Sequence, residues 1–140
     1  MAALSNAAKY DALAYLSGTL KLAFYAAAAT VDATTAAYTA TNEVTQAGAT
    51  PAINAGGLAL GIRTLTASDG SVATAGLDYP DLGPITPNAQ FTFQKVLIYD
   101  TGRSNRCVLF HDYGTPQVWN AGTPYTLTIP GSGSYVVTLA

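Results

Sequence analysis

Apolar side chains recur at every second position over much of this chain, and that period constrains the fold more than any other feature. Leu20, Leu22 and Phe24 alternate with Thr19, Lys21 and Ala23. Leu58, Leu60 and Ile62 alternate with Ala59, Gly61 and Arg63, in a run that continues to Leu65. Tyr125, Leu127 and Ile129 alternate with Thr126 and Thr128, and Tyr135, Val137 and Leu139 with Val136 and Thr138. Successive strand residues point to opposite faces, so a period of two marks a strand with one buried face and one wet face. No helical pattern is long enough to cover a parallel sheet. With Gly- and Pro-rich turns between them, the strands predict an all-β fold: an antiparallel β-sandwich, jelly-roll-like in topology.

The segments between these strands fill in the pattern. Thr34 to Thr50, rich in Thr and Ala, reads as a long loop or an edge segment. Asp69-Gly70 suits a type I′ hairpin turn, with Ser71 to Leu77 returning as the partner strand. Asp78 to Asn88 holds Pro80, Pro84 and Pro87, which lack the donor a central strand needs, and reads as a surface loop. Gln90 to Tyr99 is the strongest strand. Its apolar face switches at Gln94-Lys95, from Phe91 and Phe93 to Val96 and Ile98; a β-bulge or burial on both faces accounts for the switch. Asp100 to Asn105 is a turn, Cys107 to Tyr113 a strand, and Gly114 to Gly122 a loop carrying Trp119. Pro130 to Ser134 makes a final turn. Residues 1–18 read as an N-terminal arm or short helix, with Asn6 as N-cap and Gly18 as stop, and residues 19–140 as a single β-sandwich domain.

Charge is scarce. Only 10% of the 140 residues are charged, against about 25% in an ordinary soluble domain, while 49% are hydrophobic and the net charge is −2. Such a surface suits a protein packed against other proteins. The six Lys and Arg are scattered, so no nucleic-acid footprint is present. The longest apolar candidate, Leu22 to Ala29, is far shorter than the ~20 residues of a membrane helix. Lys9 and Asp11 interrupt the N-terminus, which does not read as a secretory signal. Cys107 is the only cysteine, so no intrachain disulfide forms.

The residues that carry chemistry are few and dispersed. His111 and Asp112 are adjacent on a strand and point to opposite faces, so they form no dyad with each other. Cys107 and His111 share a face but stand about 13 Å apart in a regular strand. Asp32, Asp69, Asp78, Asp81 and Asp100 lie in turns, where Asp serves Asx-type hydrogen bonds. Asp78-Tyr-Pro-Asp81 lacks the dense oxygen ligands of a calcium loop. Gly131-Ser-Gly133 precedes a strand, not the helix of a phosphate cradle. The expectation is a non-enzymatic protein with no catalytic residues, no metal and no cofactor. The candidate contact residues are Trp119, Tyr113, Tyr79 and Tyr38. Trp119 is read equally as a contact anchor or as a plug capping one end of the sandwich.

Two stretches carry a resemblance. One is Ala37-Tyr-Thr-Ala-Thr-Asn-Glu-Val44, followed by Gly48 and Gly56-Gly57-Leu58. The other is Val96-Leu-Ile-Tyr-Asp100, followed by Asn105-Arg-Cys-Val-Leu-Phe-His-Asp-Tyr-Gly114. With the Leu20–Tyr25 strand and the short C-terminal strand, they resemble a family of small bacteriophage virion proteins. Within that family the chain is most similar to the jelly-roll capsid cement (decoration) proteins of short-tailed phages, over residues from about Thr19 to the C-terminus. Family members often carry a Trp just before the strand that begins here at Gln90; this chain has Asp78-Tyr-Pro-Asp-Leu-Gly-Pro84 instead. The resemblance implies a protein made in the bacterial cytoplasm and placed on the capsid exterior of the virion. There it would bind the phage major capsid protein and pair with itself, as a homodimer or higher homo-oligomer, bridging neighbouring capsomers. It implies no nucleic-acid or membrane partner and carries over no catalytic residue. The alternatives are a phage tail or fibre component and a carbohydrate-binding sandwich. The latter would use Tyr10, Tyr15, Tyr25, Tyr38, Tyr79, Tyr113 and Trp119 as stacking platforms.

Overall fold

A computed structural model describes residues 20–60, 64–66, 75–78, 84–127 and 137–139. Among these the chain is antiparallel β-sheet, and the fold is all-β. The strands are β1 (Leu20–Tyr25), β2 (Leu58–Ala59), β3 (Thr64–Thr66), β4 (Ala75–Asp78), β5 (Phe91–Asp100), β6 (Arg106–Trp119) and β7 (Val137–Leu139), with one 3₁₀ turn at Thr101–Arg103. They form a four-stranded sheet in the order β2-β1-β5-β6 and a three-stranded sheet in the order β3-β4-β7. The expected N-terminal arm or helix and the Pro130–Ser134 turn lie outside the described residues.

The four-stranded sheet is built on β5, which lies between β1 and β6. It pairs with β1 from Leu20↔Asp100 to Tyr25↔Lys95, and with β6 on its other side. The β5–β6 connection is made by residues suited to it. The Asp100 side chain accepts from Gly102 N–H at 2.9 Å. Ser104 and Asn105 take φ of 55° and 58°, a left-handed pair of the kind Asn tolerates.

The face switch in β5 is now explained on both counts. The β5–β6 register shifts between Phe93 and Lys95. This irregularity keeps Phe91, Phe93, Val96 and Ile98 in one core cluster. Leu97 and Tyr99 face the other way into a second cluster with Ala23, Tyr25, Ala29 and Val31. Both faces of the sheet are therefore buried. This corrects the reading of β1 as a strand with one wet face, since Ala23 and Tyr25 are fully buried. The chain after β1 turns at Ala26–Ala29 and folds back over that face.

The first cluster is aromatic. Phe24 meets Phe91, Phe93 and Trp119 edge-on at 5.3, 4.8 and 5.9 Å. Each such pair contributes ~0.5–1.5 kcal/mol beyond the area buried. Among the described residues its cover comes from connecting segments rather than paired strands: Ala49, Ile53, Leu60, Ile85 and Leu127. The Asp78–Asn88 segment thus contains a core residue, Ile85, which exchanges backbone hydrogen bonds with Tyr125. Thr34–Thr50 runs without regular strand, as expected, tied in by isolated bridges such as Tyr25↔Glu43 and Gln46↔Ile53.

Elsewhere the boundaries move. The run from Leu58 to Leu65 is divided between β2 and β3. Thr66 pairs with Gly76, whereas a two-residue turn at Asp69-Gly70 would set Ala73 opposite it; the turn itself lies outside the described residues. Gly57 is fixed by close approach. Its φ is +74°, and a Cβ there would stand 2.1 Å from the Leu22 carbonyl oxygen, so no other residue fits.

Candidate interaction surface

β6 is the outermost strand of its sheet, and no strand lies beyond it among the described residues. The segment expected to be a loop, Gly114 to Gly122, is strand as far as Trp119. Gly114 and Pro116 gave the impression of a loop. Pro is tolerated in a strand at a sheet edge, where its missing N–H faces no neighbour. Among the described residues only the start of β6 is flanked: Tyr38 N–H donates to the Asn105 carbonyl and Cys107 N–H to that of Ala36, both at 2.9 Å.

Midway, β6 bulges. Phe93 faces Gln117 and Lys95 faces Asp112, so Gln94 alone stands against Tyr113, Gly114, Thr115 and Pro116. Asp112 organises this protrusion. Its Oδ1 accepts from Gly114 N–H at 2.8 Å and from Gln94 Nε2 at 3.1 Å. These two bonds, that of Gly114 foremost, hold its carboxyl below the usual carboxylate range. Gly114 has φ +74° with nothing within 4 Å of a Cβ position. Glycine is needed there for the backbone, not for room. Thr115 and Pro116 in the bulge and Val118 beyond it are exposed, Val118 by 48%.

The predicted contact residues are placed differently from one another. Trp119 is 7% exposed and stacks on Tyr125 with centroids 5.1 Å apart and planes at 6°. It is buried in the aromatic core cluster with Phe24, Phe91 and Phe93. Tyr113 is half-buried, edge-on to Phe93 at 5.8 Å and to His111 at 4.5 Å. Tyr38 is half-buried on the opposite face of the sheet, stacked on Tyr99 at 4.6 Å. Tyr79 lies outside the described residues. Trp119 and Tyr113 both lie against Phe93, whereas Tyr38 packs on the opposite face of the sheet.

Around Tyr38 is a polar lock that sequence reasoning passed over. Tyr38 Oη donates to Glu43 Oε2 at 2.7 Å, and Glu43 Oε1 accepts from Gly56 N–H at 3.0 Å. Tyr99 Oη donates to the Gly56 carbonyl, and Tyr25 Oη to that of Thr39 at 2.8 Å. Burial, then the Glu43 carboxylate, pushes the Tyr25 and Tyr99 hydroxyls up. Burial and the Glu43 bond push Tyr38 up to about 12. No local signal marks Glu43 or Tyr99: the bonds they make to Gly56 span 13 and 43 residues.

The residues weighed for chemistry remain apart. Asp112 is exposed and engaged with Gln94 and Gly114, while His111 lies against Tyr113. Cys107 is half-buried, and burial raises its thiol above the usual value. Asp32, Asp100 and Asp112 each accept from the backbone N–H two residues on, the Asx pattern expected of turn acids. Among the described residues, no three His, Cys, Asp or Glu side chains gather as a metal site, and no helix is long and apolar enough to cross a membrane. Comparison with protein-family models, with curated proteins and with solved structures finds no match.

Proposed function

We propose that this chain is a capsid cement protein, which binds the outside of a tailed-phage shell through the major capsid protein and bridges neighbouring capsomers. The observation that carries the reading is the β6 edge. It is a 14-residue strand at the border of its sheet, and it bears only Arg106 and Asp112 as charges. Natural sheets protect such edges with Lys, proline, bulges, short strands or a cover; β6 has a bulge and one proline midway and a flanking segment at its start, but its end from Gln117 to Trp119, with Val118 exposed, carries no charge. An edge of this kind suits strand addition by, or close packing against, another protein. The scarcity of charge over the whole sequence and the resemblance to phage virion proteins support the same reading.

The mechanism is multivalent. A contact of standard size buries about 1,600 Å² in total. Weak contacts to several capsid subunits at once then hold a bridging molecule far more tightly than any one of them. Pairing of the protein with itself would multiply the contacts again.

Densitometry of fractionated virions tests the location. The expected result is a band in the capsid fraction, at a copy number comparable to that of the capsid protein. A band confined to the tail fraction, at few copies per particle, would overturn the proposal in favour of a tail or fibre component.

A further inference from the structure

We propose that residues 32–42 form a strap over the start of β6 that opens without the sheet unfolding, so that the strap sets how much free edge β6 presents. Ala37 stands across from Arg106 as an isolated antiparallel bridge. The Tyr38 N–H donates to the Asn105 carbonyl, and the Cys107 N–H to that of Ala36. The strap thus takes the place of a further strand beside the first residues of β6. Among the described residues that pairing stops at Cys107, and the edge is open from Val108 onward.

The strap is held firmly at its ends and lightly between them. Before it, Ala29 and Val31 are buried, and the Ala29 carbonyl accepts from Lys95 Nζ at 2.6 Å. After it, the Val44 N–H donates to the Phe24 carbonyl at 2.8 Å, and the Glu43 carboxylate takes the Gly56 N–H. Of residues 32–42 none is buried. Tyr38 is the one large side chain among them; the others are Ala, Thr, Asp and Asn. The grip on the sheet is the two backbone bonds to β6, the Tyr38 ring on Tyr99 and the Tyr25 hydroxyl on the Thr39 carbonyl. A segment with few buried apolar contacts and exposed backbone bonds opens at a fraction of the free energy of global unfolding. The strand beneath does not follow it, because β5 is paired on both sides and buried on both faces. Opening adds the Asn105 carbonyl and the Cys107 N–H to the unpaired edge, where another strand can use them. The inference does not depend on the capsid reading.

Amide hydrogen exchange of the full chain, followed by NMR, reads the opening directly. After correction for intrinsic rates, the Tyr38 and Cys107 amides should exchange at least ~100-fold faster than those of Leu97 and Ile98. Low urea should barely alter their rates, because a local opening exposes little surface. A disulfide tests whether the strap is the moving part. Ala37 and Arg106 form a non-hydrogen-bonded pair, a geometry with Cα atoms ~4.5 Å apart that a disulfide spans, and both side chains are exposed. In a Cys107→Ala background, Ala37→Cys with Arg106→Cys, once oxidised, should slow exchange at Tyr38 at least about tenfold relative to Ile98. Reduction should restore the fast rate. Exchange of the Tyr38 and Cys107 amides at the Ile98 rate, with its urea dependence, would overturn the proposal. Fast exchange at Tyr38 that the closed disulfide leaves unchanged would overturn it as well.

Discussion

The two faces of the four-stranded sheet bury similar strands under different chemistry. On one face Phe24, Phe91, Phe93, Val96, Ile98 and Trp119 form an aromatic cluster that needs only shape and apolar area. On the other, Ala23, Tyr25, Leu97 and Tyr99 lie beneath a connecting segment fastened by tyrosine hydroxyls, backbone groups and Glu43. An apolar cluster tolerates many partners. A polar lock must satisfy each donor and acceptor that it buries, because an unsatisfied one costs ~1–3 kcal/mol. The comparison teaches that a loop can cover a sheet face without regular structure of its own, provided that hydrogen bonds fix its position.

The largest effect should come from the aromatic face. Phe24→Ala removes the ring that touches Phe91, Phe93 and Trp119 and should cost ~3–5 kcal/mol in urea denaturation. A loss below ~1 kcal/mol would show that this face is not the principal core. On the other face, Glu43→Ala leaves the Tyr38 hydroxyl and Gly56 N–H without their acceptor and should cost ~1–3 kcal/mol. Combined with Tyr38→Phe in a double-mutant cycle, it should show a coupling of at least ~0.5 kcal/mol; additive losses would mean that the lock does not act as a unit.

Alkali separates the faces more gently. A tyrosine whose folded pKa lies above its unfolded value of about 10 contributes stability that is fully present below pH 10. That stability is lost as pH rises through the folded value, about 12 for Tyr38. The melting temperature should therefore fall between roughly pH 10 and 12, and the fall should be shallower in Tyr38→Phe. Tyr113, on the aromatic face, is also pushed up to about 12, by burial alone, and removing Glu43 should leave its titration unmoved. The smallest effect is optical. Trp119 should emit at short wavelength and resist acrylamide quenching in the native state, whereas red-shifted, readily quenched emission would place it on the surface.

The aromatic face was legible in the sequence and the polar one was not. Leu20, Leu22 and Phe24 announce themselves by period, and so do Phe91 and Phe93; even the bulge at Gln94-Lys95 is written in the switch of parity. Ala23 and Tyr25 carry no such mark, because their cover arrives from the 26–43 segment through contacts that composition does not encode. Pro116 and Gly114 pointed to a loop because their turn chemistry is the same whether it serves a loop or a bulged edge strand. Of the candidate contact residues, Tyr113 lies beside the β6 bulge, whereas Trp119 was drawn into the core by its stacking on Tyr125. A tryptophan in a segment with Gly114, Pro116 and Asn120 looks like part of a loop until its distant partners are known.

The most direct test of the account is reconstitution. If the proposed function holds, purified protein mixed with tailed-phage capsids assembled without it should bind them, and both co-sedimentation and the temperature of shell disruption would be followed. The account predicts saturable binding, with a whole-number ratio to capsid subunits and a raised disruption temperature. Protein that stays in the supernatant and leaves the shell's melting unchanged would contradict it.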